Sequence, residues 1–189
     1  MMKRALSAML CMTAFLAVAG CSESNRNASP VELIATVEQN IQIIDIRNLP
    51  DEDENIGTIT LRAIQKRAGT PTLPIDDTFL DVRLRSYRVS YRRTDGGTLV
   101  PASFVRSLSG LVELGGTTQV SKFQVFEIDA LTRAPFVALL PNNGGRDPET
   151  GRTVVGLDVV IDIFGETLSG EPVAARVIFP LTFCAGCTT

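Results

Sequence analysis

The stretch DVRLRSYRVSYRRT, Asp81–Thr94, decides the fold class. Val82 and Leu84 alternate with arginines, and so do Tyr87, Val89 and Tyr91, but the two sets lie in opposite register. Successive side chains of a strand point to opposite faces. One buried face must therefore read 82, 84, 87, 89, 91, with a single three-residue step. A β-bulge near Arg85-Ser86 supplies that step, because one extra residue returns the apolar side chains to the same face. Arg83, Arg88, Ser90 and Arg92 then point outward. Asp95-Gly96-Gly97 ends the strand as a turn.

Working outward, the same period of two recurs at the C-terminal end. Val155, Leu157, Val159, Ile161 and Ile163 alternate, and so do Val173, Ala175, Val177, Phe179, Leu181 and Phe183. Two such runs around Gly165–Gly170 predict a hairpin. Towards the N-terminus, Ser29-Pro30-Val31-Glu32 has the form of a helix capping box. Val31, Leu33, Ala35 and Val37 alternate as a strand, however, and Ile41, Ile43 and Ile44 are β-branched, so a strand is expected. Ile56–Ile64 and Thr117–Asp129 read as further strands, and Phe136–Leu140 as a short apolar run. Asp51–Glu54, Thr70–Asp77 and Pro141–Gly151 read as turns or exposed loops.

Six to eight short strands separated by Gly, Pro and Asp turns predict an all-β chain. The expected architecture is an immunoglobulin-like antiparallel β-sandwich, a single domain over residues 31–189. The likeness to immunoglobulin, fibronectin III and cadherin modules is architectural. The Cys…Trp…Cys pattern of antibody domains is missing, because the 189-residue chain has no tryptophan. It has no histidine either, which excludes Ser-His-Asp and Cys-His triads, His-containing zinc sites and covalent c-type haem. A formal charge of −3 gives nucleic acid no electrostatic foothold.

The first twenty residues read as a targeting signal. Lys3 and Arg4 precede an apolar run, Ala5–Val18, that is short for a membrane span. Val18-Ala19-Gly20-Cys21 resembles the lipobox of bacterial lipoproteins. That resemblance implies cleavage before Cys21, diacylation of its thiol and, in many bacteria, acylation of the new N-terminus. The covalent lipid is then the only prosthetic group expected. Two or more acyl chains hold a protein stably at a membrane, so a body on a tether, residues 21–30, is expected in the bacterial cell envelope. Ser22 after the cysteine favours the outer membrane by the enterobacterial sorting rule. Cleavage removes Lys3, Arg4 and no acid, leaving the body more acidic than the full chain. The segment Tyr87–Gly97, followed by Val100-Pro101, resembles a pattern in uncharacterised bacterial lipoproteins.

Four constellations are candidate sites. Cys184-Ala185-Gly186-Cys187 is a CxxC. In an oxidising compartment it reads as a structural disulfide, two free thiols or a redox pair. Ala185-Gly186 must turn to bring the Cα atoms within the roughly 7 Å that a bridge needs. Arg83, Arg88 and Arg92, with Arg85, Arg93 and Arg106 nearby, form a basic patch suited to carboxylates, phosphates or lipid headgroups. On a strand face such arginines also pair with acids across the sheet and blunt edges. Asp158 and Asp162 share a face about 13 Å apart, too far for a glycosidase pair, and read as surface charges. Asn142, Asn143, Asp147 and Glu149 offer oxygens to calcium, but not with EF-hand spacing. The expected function is a membrane-anchored envelope lipoprotein with a non-enzymatic binding, adhesion or structural role. Its partners are the membrane, through the lipid, and an envelope protein. The rival is a small envelope thiol/disulfide redox protein using Cys184 and Cys187.

Overall fold

The structure is a computed structural model that describes residues 29–38, 43–48, 58–66, 77–121 and 123–187. The lipobox, the Asp51–Glu54 turn and most of the Thr70–Asp77 loop lie outside these residues. Among the described residues eight strands form two sheets packed face to face: β1 (Val31–Glu38), β2 (Ile43–Asp45), β3 (Thr58–Gln65), β4 (Val82–Arg93), β5 (Phe104–Val112), β6 (Thr117–Val120), β7 (Val154–Thr167) and β8 (Pro172–Cys184). One sheet has the order β1-β3-β6, the other β2-β8-β7-β4-β5. This is an immunoglobulin-like arrangement, with A-B-E in one sheet and A′-G-F-C-C′ in the other, β2 standing as A′.

The bulge in β4 falls where the alternation of apolar residues requires it. Leu84 pairs with Gly165 and Ser86 with Phe164, so Arg85 is the extra residue. Val82, Leu84, Tyr87 and Val89 are all buried on one face as a result. The bulged backbone presses on β7 at this point. A Cβ on Gly165 would sit 2.7 Å from the Arg83 carbonyl oxygen, so only glycine fits there. The inner face of β7 carries Val155, Leu157, Val159, Ile161 and Ile163, and that of β8 Phe179, Leu181 and Phe183, all buried. Fully burying one such side chain contributes about 1.5–3 kcal/mol. At the start of β1 the Ser29 hydroxyl accepts the Val31 N–H at 3.2 Å, so the serine caps a strand.

Three expectations are corrected. The sandwich is not wholly antiparallel, because β2 runs parallel to β8, with Asp45 opposite Cys184. Pairing between such distant segments leaves no turn signal in the sequence. The strand expected over Thr117–Asp129 ends at Val120. Phe123, Val125 and Phe126 are nevertheless buried. Side chains rather than a ladder satisfy part of this backbone: the Tyr91 hydroxyl donates to the Val125 carbonyl at 2.7 Å, and Tyr87 to that of Gln124 at 3.3 Å. The Phe123 ring packs on Tyr87 with centroids 4.5 Å apart. The loop Pro141–Gly151 is not exposed throughout, since Asp147 is wholly buried. Strand β5 had no sequence signal. It is an edge strand with most of its residues exposed on both faces, so alternation is absent.

Candidate functional site

Ionisable groups gather most tightly at the far end of β4. Arg93 follows Tyr91 on the inward register, and its side chain is only 2% exposed. Its guanidinium grips Asp95 with two bonds, Nε to Oδ1 at 2.7 Å and Nη2 to Oδ2 at 2.8 Å. Nη2 also reaches Oδ2 of Asp147 at 2.7 Å, and Nη1 lies 3.5 Å from Oε2 of Glu149. A Cβ on Gly97 would lie 2.5 Å from the guanidinium carbon, so a glycine makes room for it. The carboxylates bind backbone in turn. Asp95 accepts the N–H groups of Gly97 and Gly156. Asp147 accepts the Thr150 hydroxyl at 2.6 Å. Glu149 accepts the N–H groups of Thr98 and Leu99. The cluster thereby ties the β4–β5 connection, the 141–151 loop and the start of β7 into one piece.

Electrostatics follow from this geometry. Burial pushes the Asp95 carboxyl up, but the Arg93 bond and the Gly156 and Gly97 N–H groups outweigh it and bring the pKa down to about 2. For Asp147, burial is again overcome by Thr150 and Arg93, and the carboxyl is held below its ordinary range. Bonds to Asp95 push the Arg93 guanidinium up. Charged throughout and closed by protein partners, the cluster is built to hold loops and has no proton to exchange near neutral pH.

The outer face of the larger sheet carries the arginines of the basic patch. Arg88 pairs with Asp162 at 2.9 Å, Arg176 with the other oxygen of Asp162 at 2.7 Å, and Arg92 with Asp158 at 2.6 Å. Arg85 pairs with Glu166. Arg83 lies exposed between Leu111 and Glu166 on the neighbouring strands. Asp162 is no surface charge, since it is 2% exposed. Burial raises its pKa, but its two arginines outweigh that and hold it below the carboxylate range. Three of the arginines thus form rungs of an ionic ladder across β4, β7 and β8.

Cys184 and Cys187 form a disulfide with Cα atoms 6.0 Å apart, the turn being made by Gly186 at φ +77°. Cys184 is buried beside β2, and the Gly186 N–H donates to Asp45 at 2.8 Å. The bridge therefore closes the turn after β8, and Asp45 of β2 holds that turn through the Gly186 N–H. Of the calcium candidates, Asp147 and Glu149 are engaged as described. Asn143 donates from Nδ2 to the Val137 carbonyl at 3.0 Å, and Asn142 lies exposed in the same loop. Among the described residues no group of three or more Cys, Asp or Glu is placed to hold a metal ion. An open groove of about 480 Å³ runs between β1 and the first half of β8, lined by Glu32, Lys66, Arg176 and their apolar neighbours.

Sequence reasoning took Arg93 as one of a run of surface arginines. Its parity, continuing 87, 89 and 91, was the signal that it faces inward. Comparison with protein-family models, curated proteins and solved structures finds no match.

Proposed function

We propose that this chain is a lipid-anchored protein of the bacterial cell envelope, its sandwich serving a non-enzymatic binding, adhesion or structural role. The observation that carries the reading is Val18-Ala19-Gly20-Cys21, placed after a basic and apolar leader and eight residues before Ser29, where the described body begins. The state of the described ionisable groups supports the non-enzymatic part. Arg93, Asp95, Asp147, Asp158 and Asp162 are held in ion pairs that brace loops and strands. Binding modules of this architecture work through loops and strand edges on a rigid frame. Mass spectrometry of protein taken from membranes tests the anchor. The expected N-terminal fragment begins at Cys21 and carries acyl chains, and Cys21→Ser accumulates as unprocessed precursor. Normal membrane anchoring of Cys21→Ser would refute the reading.

A further inference from the structure

The two ends of the sandwich differ. One end holds the Arg93 cluster. At the other meet the start of β1, the end of β3, the start of β4 and the β7–β8 hairpin. Pro30 accepts the Lys66 N–H at 2.9 Å, and Val82 pairs with Thr167. Val31, Lys66 and Val173 line one groove. Here a 3₁₀ turn, Asp77–Leu80, is bonded to the hairpin tip: Ser169 N–H donates to the Phe79 carbonyl at 3.0 Å, and Leu168 N–H to that of Asp81 at 2.9 Å. Two large apolar side chains project from this joint, Phe79 at 57% exposure and Leu168 at 38%. The tip beneath them is rigid. Thr167 closes the hairpin through its N–H to the Glu171 carbonyl, and its hydroxyl accepts the Glu171 N–H. Asp81 accepts the Leu114 N–H and Glu166 pairs with Arg85, while Asp77 and Glu171 flank the apolar pair in the chain.

We infer that Phe79 and Leu168 form a membrane-contact tip, inserting into the bilayer that holds the anchor and setting the domain upright on it. The inference rests on the lipoprotein reading. The occupant follows from where the chain leaves the body. The eight residue steps from Cys21 to Ser29 reach at most about 28 Å, and Ser29 lies at the end that bears the tip. A lipid at Cys21 therefore keeps that end within tether reach of the bilayer. Exposed aromatic and leucine side chains held there enter the boundary between headgroups and acyl chains, as those of interfacial helices do. The Arg93 end then faces away from the membrane.

The chain's lack of tryptophan makes the test direct. Phe79→Trp and, separately, Leu168→Trp each place a single indole at the tip. Leu99→Trp places one at the opposite end, where Leu99 is also exposed. The full chain, acylated in its host, is reconstituted into phosphatidylethanolamine–phosphatidylglycerol vesicles, with and without lipids brominated high on the acyl chains. Tip emission is expected to shift to the blue and to be lost in brominated vesicles, while Leu99→Trp emission stays unchanged. Unquenched tip variants on protein proven acylated at Cys21 would overturn the tip and leave the lipoprotein reading standing. Quenching of all three sites would show the domain lying flat, and would overturn the tip as well. Protein without acyl chains would remove both readings.

Discussion

Arg93→Ala removes the one cation that Asp95, Asp147 and Glu149 share. Asp147 is wholly buried and the Asp95 side chain is 6% exposed, so neither gains water in compensation. Both keep some partners: Thr150 for Asp147, Gly97 and Gly156 for Asp95. Breaking a buried ion pair by deleting one member costs about 3–5 kcal/mol. That is a large share of a typical domain stability of about 5–15 kcal/mol. Urea unfolding at pH 7, followed by circular dichroism, should show the unfolding free energy falling by that amount, through a lower midpoint with little change in slope. The pH dependence isolates the cause. In the parent, the Asp95 carboxyl is brought down from its ordinary 3.8 to about 2. Its stabilisation is therefore complete above pH 4 and is lost as pH falls through 2. In the variant the orphaned carboxylates are desolvated without a cation, so their folded pKa values rise. Protonating them on acidification stabilises the folded state, and the gap between variant and parent should narrow between pH 7 and 4. A variant within about 0.5 kcal/mol of the parent, or a gap independent of pH, would refute this account.

Four further outcomes are expected. Reducing the Cys184–Cys187 bridge should lower stability by about 2 kcal/mol, the chain-entropy value for so short a loop, and thiol trapping before and after reduction checks that the bridge was the change. Gly165→Ala should cost about 1–3 kcal/mol through overpacking against the bulged Arg83 carbonyl, read as a fall in Tm. Tyr91→Phe should cost about 1–3 kcal/mol by leaving the Val125 carbonyl without its donor. Burial pushes the hydroxyls of Tyr87 and Tyr91 above the ordinary 10.0, so the phenolate absorbance of the folded parent should stay absent as pH passes 10. Stability should be full below pH 10 and fall above it, where the unfolded tyrosines ionise. An ordinary tyrosine titration in folded protein would contradict that burial.

The parts of the fold legible in sequence are those where burial leaves a period. Val82, Leu84, Tyr87, Val89 and Tyr91 located the bulge because one face is core and the other wet. The β7–β8 hairpin was readable for the same reason. Strand β5 was not, because neither of its faces is fully buried. Phe123–Phe126 looked like a strand by composition, but two tyrosine hydroxyls take carbonyls that a ladder would otherwise use. At the candidate site, the CxxC bridge needed only a turn at Ala185-Gly186. Asp147 and Glu149 stood out as oxygen donors, yet their partner is an arginine more than fifty residues away, and loop composition carries no trace of that. The burial of Asp162 likewise depends on Arg88 and Arg176 closing over it from two different strands.

The parallel pairing of β2 with β8 bears on the order in which the protein is assembled. Asp45 is synthesised early, but its partner Cys184 stands more than a hundred residues later in the chain. Closing a loop of that span costs about 4 kcal/mol beyond a constant term. Contacts of such range slow folding. The edge of the larger sheet therefore closes only after β8 has been made. A chain cut short before β8 would leave β7 unpaired on that side, a bare template for aggregation. Proteases and chaperones thus have a defined interval in which to meet this protein, between synthesis of β1 and arrival of β8.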